Sequence, residues 1–134
     1  MEMKKAIITL TCCLLTGCFI HPMPFRTAVT SLKTDGQPCF KIKTESVTAN
    51  NQSRILSIVV NKEFADGHMH EIWSERQHEF PIKMVIPGQC IPVGYHFRPY
   101  QKYSVTIYTM VPPDKVETKR FWRSEFQLQD LQPE

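Results

Sequence analysis

The strongest constraint on this chain is its punctuation. No segment keeps a 3.6-residue apolar period for the length of an amphipathic helix. Turn residues instead cut the chain into short β-like runs. Thr27 to Leu32 is rich in Thr and Val and ends before Asp35-Gly36, a turn signal. Pro38 to Lys43 alternates, with Phe40 and Ile42 on one face and Cys39, Lys41 and Lys43 on the other. Asn50-Asn51 marks a polar loop. Arg54 to Lys62 contains a nearly unbroken apolar run, Ile55 to Val60, which predicts a central strand. Beyond Asp66-Gly67 come Glu71 to Glu75, with Trp73 as its large filler, and Pro81 to Ile86, with Ile82, Met84 and Ile86 on one face. Pro87-Gly88 ends that run. Pro112-Pro113-Asp114 precedes the last strand, Thr118 to Leu128, where Phe121, Arg123, Glu125 and Gln127 oppose Trp122, Ser124, Phe126 and Leu128. Seven to eight short strands in about 100 residues predict an all-β antiparallel sandwich, with a small barrel as the alternative.

The first residues carry a different pattern. Lys4 and Lys5 precede an uncharged run, Ala6 to Leu15, and then Leu15-Thr16-Gly17-Cys18. A positive n-region, a short apolar stretch and small residues before the cut describe a secretory signal peptide. The four residues ending at Cys18 read as a lipobox, the site of acylation and cleavage in bacterial lipoproteins. The apolar run is about half the roughly 20 residues a spanning helix needs. The expected layout is therefore a cleaved signal over 1–17, a lipidated tether over 18–26 with Pro22 and Pro24, and a sandwich over 27–130. Diacylglycerol and an N-acyl chain on Cys18 form the expected covalent lipid, and no other cofactor is implied. Phe19 follows the cysteine. No aspartate stands there to retain the protein at the inner membrane, so the expected address is the periplasmic side of the outer membrane.

Cleavage before Cys18 removes seventeen of the 134 residues, with Glu2, Lys4, Lys5, Cys12 and Cys13 among them. The remaining 117 carry a net charge of +2, too mild for a nucleic-acid footprint. Lys119, Arg120 and Arg123 come nearest to a basic patch. Once Cys18 is acylated, Cys39 and Cys90 remain. In an oxidising compartment they form a disulfide; two free buried thiols are the alternative. The bridge closes a loop of about fifty residues and stabilises by roughly 2–4 kcal/mol. Its one difficulty is that Cys39 sits on the face opposite Phe40, the wrong one for an inter-sheet bridge.

Few residues suggest chemistry. His68 and His70 share a strand face beside Met69 and Glu71, with His78 nearby, which makes them weak candidates for a copper or zinc site. An exposed polar loop accounts for them equally well, and no metal is expected. His21 falls in the tether and His96 beside a corner. Ser74-Glu75 and Ser124-Glu125 are strand dipeptides, not nucleophile elbows, and five glycines do not build a phosphate loop. The chain is not expected to be an enzyme. Its aromatic residues Trp122, Phe121, Tyr108 and Tyr100, interleaved with arginine, supply candidates for a protein-binding patch, and filling of the sandwich core accounts for each of them equally well.

Phe97, Pro99 and Tyr103 are spaced like the corner before the sixth strand of fibronectin type III and related immunoglobulin-like domains. The resemblance implies that the Tyr103 hydroxyl bonds back to the backbone across the corner. Over most of its length the chain also resembles a family of small periplasmic lipoproteins assigned to type VI secretion immunity. The likeness runs through Leu15-Thr16-Gly17-Cys18, Gln37-Pro38-Cys39-Phe40, Ile55 to Val60, Gly88-Gln89-Cys90 and Tyr103 to Tyr108. It implies a protein partner: a cognate toxin delivered into the periplasm, bound and occluded. Two other classes stand beside this one, an envelope assembly lipoprotein and a small-ligand or metal binder.

Overall fold

Among the described residues eight strands form, broken where Asp-Gly and Pro-Gly predict turns: β1 (Phe25–Thr27), β2 (Val29–Leu32), β3 (Pro38–Lys41), β4 (Ser53–Glu63), β5 (Met69–Arg76), β6 (Lys83–Val85), β7 (Lys102–Met110) and β8 (Arg120–Gln127). The computed structural model describes residues 24–44, 53–76, 83–112 and 116–134. The signal over 1–17, Cys18, His21, the Asn50-Asn51 loop, His78, Ile82 and Pro113-Asp114 lie outside the described residues. Gly36, Gly67 and Gly88 all take positive φ, near +80°. That conformation is why glycine follows Asp or Pro at those turns.

The protein is an all-β sandwich. The larger sheet runs β1-β8-β7-β4-β5, with β6 also paired to β4; the smaller holds β2 and β3. β4 is the hub, bound to β7 along most of its length, to β5 from Ser57 and to β6 from Ser53 to Ile55. That position explains its apolar run. Ile55, Ile58 and Val60 face the core, while Leu56 and Val59 stay half-buried on the outer side. The sheets close on one another through Phe40 of β3, whose ring lies 5.8 Å from Phe97 and 5.6 Å from Phe126. Trp122, Ile107, Val105 and Tyr103 complete the fully buried centre. Trp122 Nε1 donates to Thr109 Oγ1 at 2.9 Å, so the largest core side chain buries no unpaired donor. Thr30 of β2 and Ser124 of β8 link the sheets by a short hydroxyl–hydroxyl bond.

Four details differ from the sequence reading. The run Thr27 to Leu32 is divided between the sheets at Ala28, whose N–H donates to Arg123 O at 2.9 Å. β1, which starts inside the stretch read as tether, pairs with β8 in parallel; the other strand pairs are antiparallel. β6 turns the other way: Val85 is buried, while Met84 and Ile86 are exposed. Trp73 is only half-buried, lying over Gly94, where an added Cβ would come within 3.2 Å of the indole.

The disulfide Cys39–Cys90 is formed, with Cα atoms 5.1 Å apart. It is a cross-strand bridge, not an inter-sheet one. Ile91 pairs with Phe40 in an isolated antiparallel bridge, which sets the adjacent Cys90 beside Cys39 on the outer side of the small sheet. This removes the difficulty of the face, since Cys39 never had to cross the core. The last residues cover the bridge. Pro133 pairs with Leu32 in parallel, and the Glu134 carboxylate lies 3.4 Å from Lys41 Nζ and 3.2 Å from Cys90 Sγ.

Candidate functional site

Registry sorts the outward face of the large sheet into rows. Phe25 stands opposite Phe121, and Phe121 opposite Tyr108. Their side chains touch edge to face, with centroids 5.1 Å apart for Phe25–Phe121 and 4.9 Å for Tyr108–Phe121. Lys119 Nζ sits 5.3 Å above the Phe121 ring, a cation–π contact. Phe25 remains 60% exposed. Two residues further along the strands, the row is Thr27, Arg123, Thr106, Val59 and Ser74; the next holds Glu125, Ser104, Asn61 and Glu71. Arg123 is neutralised within these rows, 2.7 Å from Glu125 and bonded to Ser104 Oγ at 3.2 Å. The face thus passes from aromatic, where the chain enters at Pro24, to polar and charged at the other end.

That other end is built by the corner between Phe97 and Tyr103. Tyr103 is buried, and its hydroxyl accepts from the Arg98 N–H at 3.1 Å, as the immunoglobulin-like resemblance implies. Gln37 clamps Phe97 from the β2–β3 turn, accepting from Phe97 N–H at 2.8 Å and donating to Phe97 O at 3.1 Å. The chain then turns through Tyr100, the one described non-glycine residue with positive φ, at 61°. Its N–H donates to Gln129 Oε1 at 2.8 Å, and the side chain stands 79% exposed. Beside it, Lys62, Tyr95, His96, Arg98, Gln101 and Tyr103 line a cleft of about 350 Å³. Burial, reinforced by Tyr103, raises the Tyr95 hydroxyl above its ordinary pKa; the Arg98 charge works against it.

Other singled-out residues disperse. His70 Nε2 lies 2.8 Å from Asp66 Oδ2 and its ring edges Phe64, while the His68 N–H donates to Asp66 Oδ1 at 2.9 Å. These contacts make Asp66 the brace of a tight turn, and its carboxyl is held below the ordinary value chiefly by the His68 N–H. Among the described residues, no third ligand atom gathers with the two histidines. Cys39, Cys90 and Glu134 do gather, but sulfurs joined in a disulfide are not thiolate ligands. Of the four aromatics proposed for a patch, Trp122 is corrected to core; Phe121 and Tyr108 belong to the outer row, and Tyr100 stands alone at the far end. Phe25 was missed because it fell in a stretch read as tether, although its neighbours Thr27 and Val29 carried a β signal.

The profile of a family described as "Domain of unknown function (DUF7480)" matches residues 25–131. The chain belongs to the DUF7480 family. No curated protein and no solved structure matches it. The DUF7480 match opens on Phe25 of β1 and closes on Leu131, just beyond the 3₁₀ turn Leu128–Asp130. It therefore takes in both cysteines, the aromatic row and the corner that carries Tyr100. Cys18 lies before it.

Proposed function

We propose that this DUF7480 chain is a lipid-anchored lipoprotein on the periplasmic side of the outer membrane. Its sandwich binds a protein toxin delivered into the periplasm and occludes it. The observation that carries the binding role is Tyr100. A large aromatic side chain held at positive φ costs roughly 1–3 kcal/mol, and such strain collects at functional sites. Here the strained residue is fixed by Gln129, fully presented, and flanked by Arg98 and a cleft rimmed with cations. Tyr and Arg on a rigid support are the residue types that dominate interface energy. The disulfide suits an oxidising compartment. The toxin as occupant, and the outer membrane as address, rest on the lipobox sequence and on the resemblance to immunity lipoproteins.

A protection assay tests the reading. An immunity role predicts a toxin gene beside this one; its product is directed to the periplasm of cells with and without the protein, and survivors are counted. Rescue by the exported protein, lost in a cytoplasmic version and weakened by Tyr100→Ala, is the expected result. Unchanged killing in the presence of folded, exported protein overturns the toxin role and leaves envelope assembly as the class to pursue by pull-down.

A further inference from the structure

The aromatic row of the large sheet stands apart from the corner surface and calls for a different occupant. We infer that the row Phe25–Phe121–Tyr108, with Lys119, docks on the bilayer surface beside the lipid anchor. The inference rests on the lipoprotein reading above and goes beyond it, because an anchor alone leaves the domain free to swing.

Chain length supplies the first argument. Six residue steps separate Cys18 from Pro24, and an extended chain spans at most about 3.5 Å per step. An acylated Cys18 therefore keeps Pro24 within about 20 Å of the membrane surface. Pro24 O accepts from the Phe121 N–H at 3.0 Å, so the tether arrives directly at the row. The corner end lies further off along the strands. The five steps of β7 from Tyr108 in the row to Tyr103 at the corner cover about 17 Å at roughly 3.3 Å per residue.

Composition of the face supplies the second. Within the paired rows of this face the aromatic residues gather at the entry end: Phe25, Phe121 and Tyr108, with exposed Met84 beyond Met110, while exposed Phe64 and Tyr100 lie past the strand ends on the other side. Every row nearer the corner is dominated by polar or charged residues. A surface graded in this way along its length suits contact at one end with a flat boundary. Tyrosine and phenylalanine beside lysine suit a lipid–water interface, where the rings enter and the ammonium stays with the phosphates. Charge agrees. Arg26 and Lys43 line, with Phe25, a cleft of about 670 Å³ at this end. Among the described residues, Glu117 in the turn Val116–Thr118 is the acid of this rim, and Glu125 is already taken by Arg123. Cations here face the anionic headgroups of the leaflet that would hold the anchor.

The test uses the full, lipidated chain in vesicles of phosphatidylethanolamine and phosphatidylglycerol that contain a nitroxide-bearing lipid. A fluorophore is placed at Glu117→Cys or at Tyr100→Cys, the native bridge being left oxidised. The label at 117 is expected to be quenched several-fold more than the label at 100. Adding Phe25→Ser and Lys119→Glu is expected to bring the two to the same level, with the thermal melt confirming that the variant is folded. Equal quenching at both positions in the unmodified row, or a difference that survives the double substitution, overturns the docking while the anchor stands. Failure of Cys18 to incorporate palmitate overturns the anchor, and the docking with it. Equal quenching together with loss of toxin protection in Phe25→Ser would assign the row to a protein instead.

Discussion

Two hydroxyls decide how much the interior tolerates. Tyr103 accepts one bond from a backbone N–H at an exposed residue, Arg98. Its removal in Tyr103→Phe lets water take that partner, so the cost is expected to be about 1 kcal/mol, read as a lower urea midpoint at unchanged slope. Thr109 accepts from the Trp122 indole, and both residues are 1% exposed. Thr109→Val strands a buried donor that no water reaches, and about 1–3 kcal/mol is expected. The ranking is the point: if Tyr103→Phe proves the more damaging, the corner bond carries more than its geometry implies. Titration adds a third expectation. Asp35 and Asp66 are held below 3.8, first by the N–H of Gln37 and of His68. A lowered folded pKa contributes stability above the unfolded value, lost as pH falls through the folded one. The Gln37 and His68 amide resonances should therefore shift with midpoints below 3.8. Tyr95 has the opposite sign: raised above 10.0 by burial, it contributes stability that is lost as pH climbs through the folded value.

Strands were legible where their two faces differ in chemistry. In β8, charges on Arg123 and Glu125 against Trp122 and Phe126 fix the phase, and the structure keeps it. That same alternation placed Trp122 inside, so it was never free to bind a partner. β6 carries apolar residues on both phases. Pairing of Ser53 with Val85 and Arg54 with Met84 then chooses the face, and a one-residue slip inverts it. Alternation also put Cys39 on its true face; what it lacked was the neighbour, since the Ile91–Phe40 bridge joins segments fifty residues apart. The disulfide secures that sparse pairing. Replacing both cysteines by alanine should cost about 2–4 kcal/mol and lower the melting temperature. A variant as stable as the parent would show that Phe40 packing alone holds the Ile91 segment. The binding surfaces were less legible. Tyr100 looks like any loop tyrosine until its φ is known, and Phe25 joins the row only through parallel pairing with β8 across most of the chain.

At the scale of the whole molecule, the sandwich is a spacer with unlike ends. Five steps of β7, about 17 Å from Tyr108 to Tyr103, separate the aromatic row from the corner that carries Tyr100, and inter-sheet contacts of Phe40 hold the strands rigid. Surfaces that far apart with no shared partners should act independently. Tyr100→Ala should therefore weaken the toxin complex by at least about 2 kcal/mol, a roughly thirtyfold rise in Kd, the threshold of an interface hot spot. Membrane quenching at the label on residue 117 should be untouched. Phe25→Ser with Lys119→Glu should do the reverse, leaving the Kd measured in solution unchanged while freeing the domain on the vesicle. Combining all three substitutions should give both losses at their separate sizes. Calorimetry on the mature protein and quenching on the reconstituted one measure the two axes. A Kd change in the row variant, or a quenching change in Tyr100→Ala, would mean that one partner spans both ends and that the division of labour proposed for this DUF7480 domain is wrong.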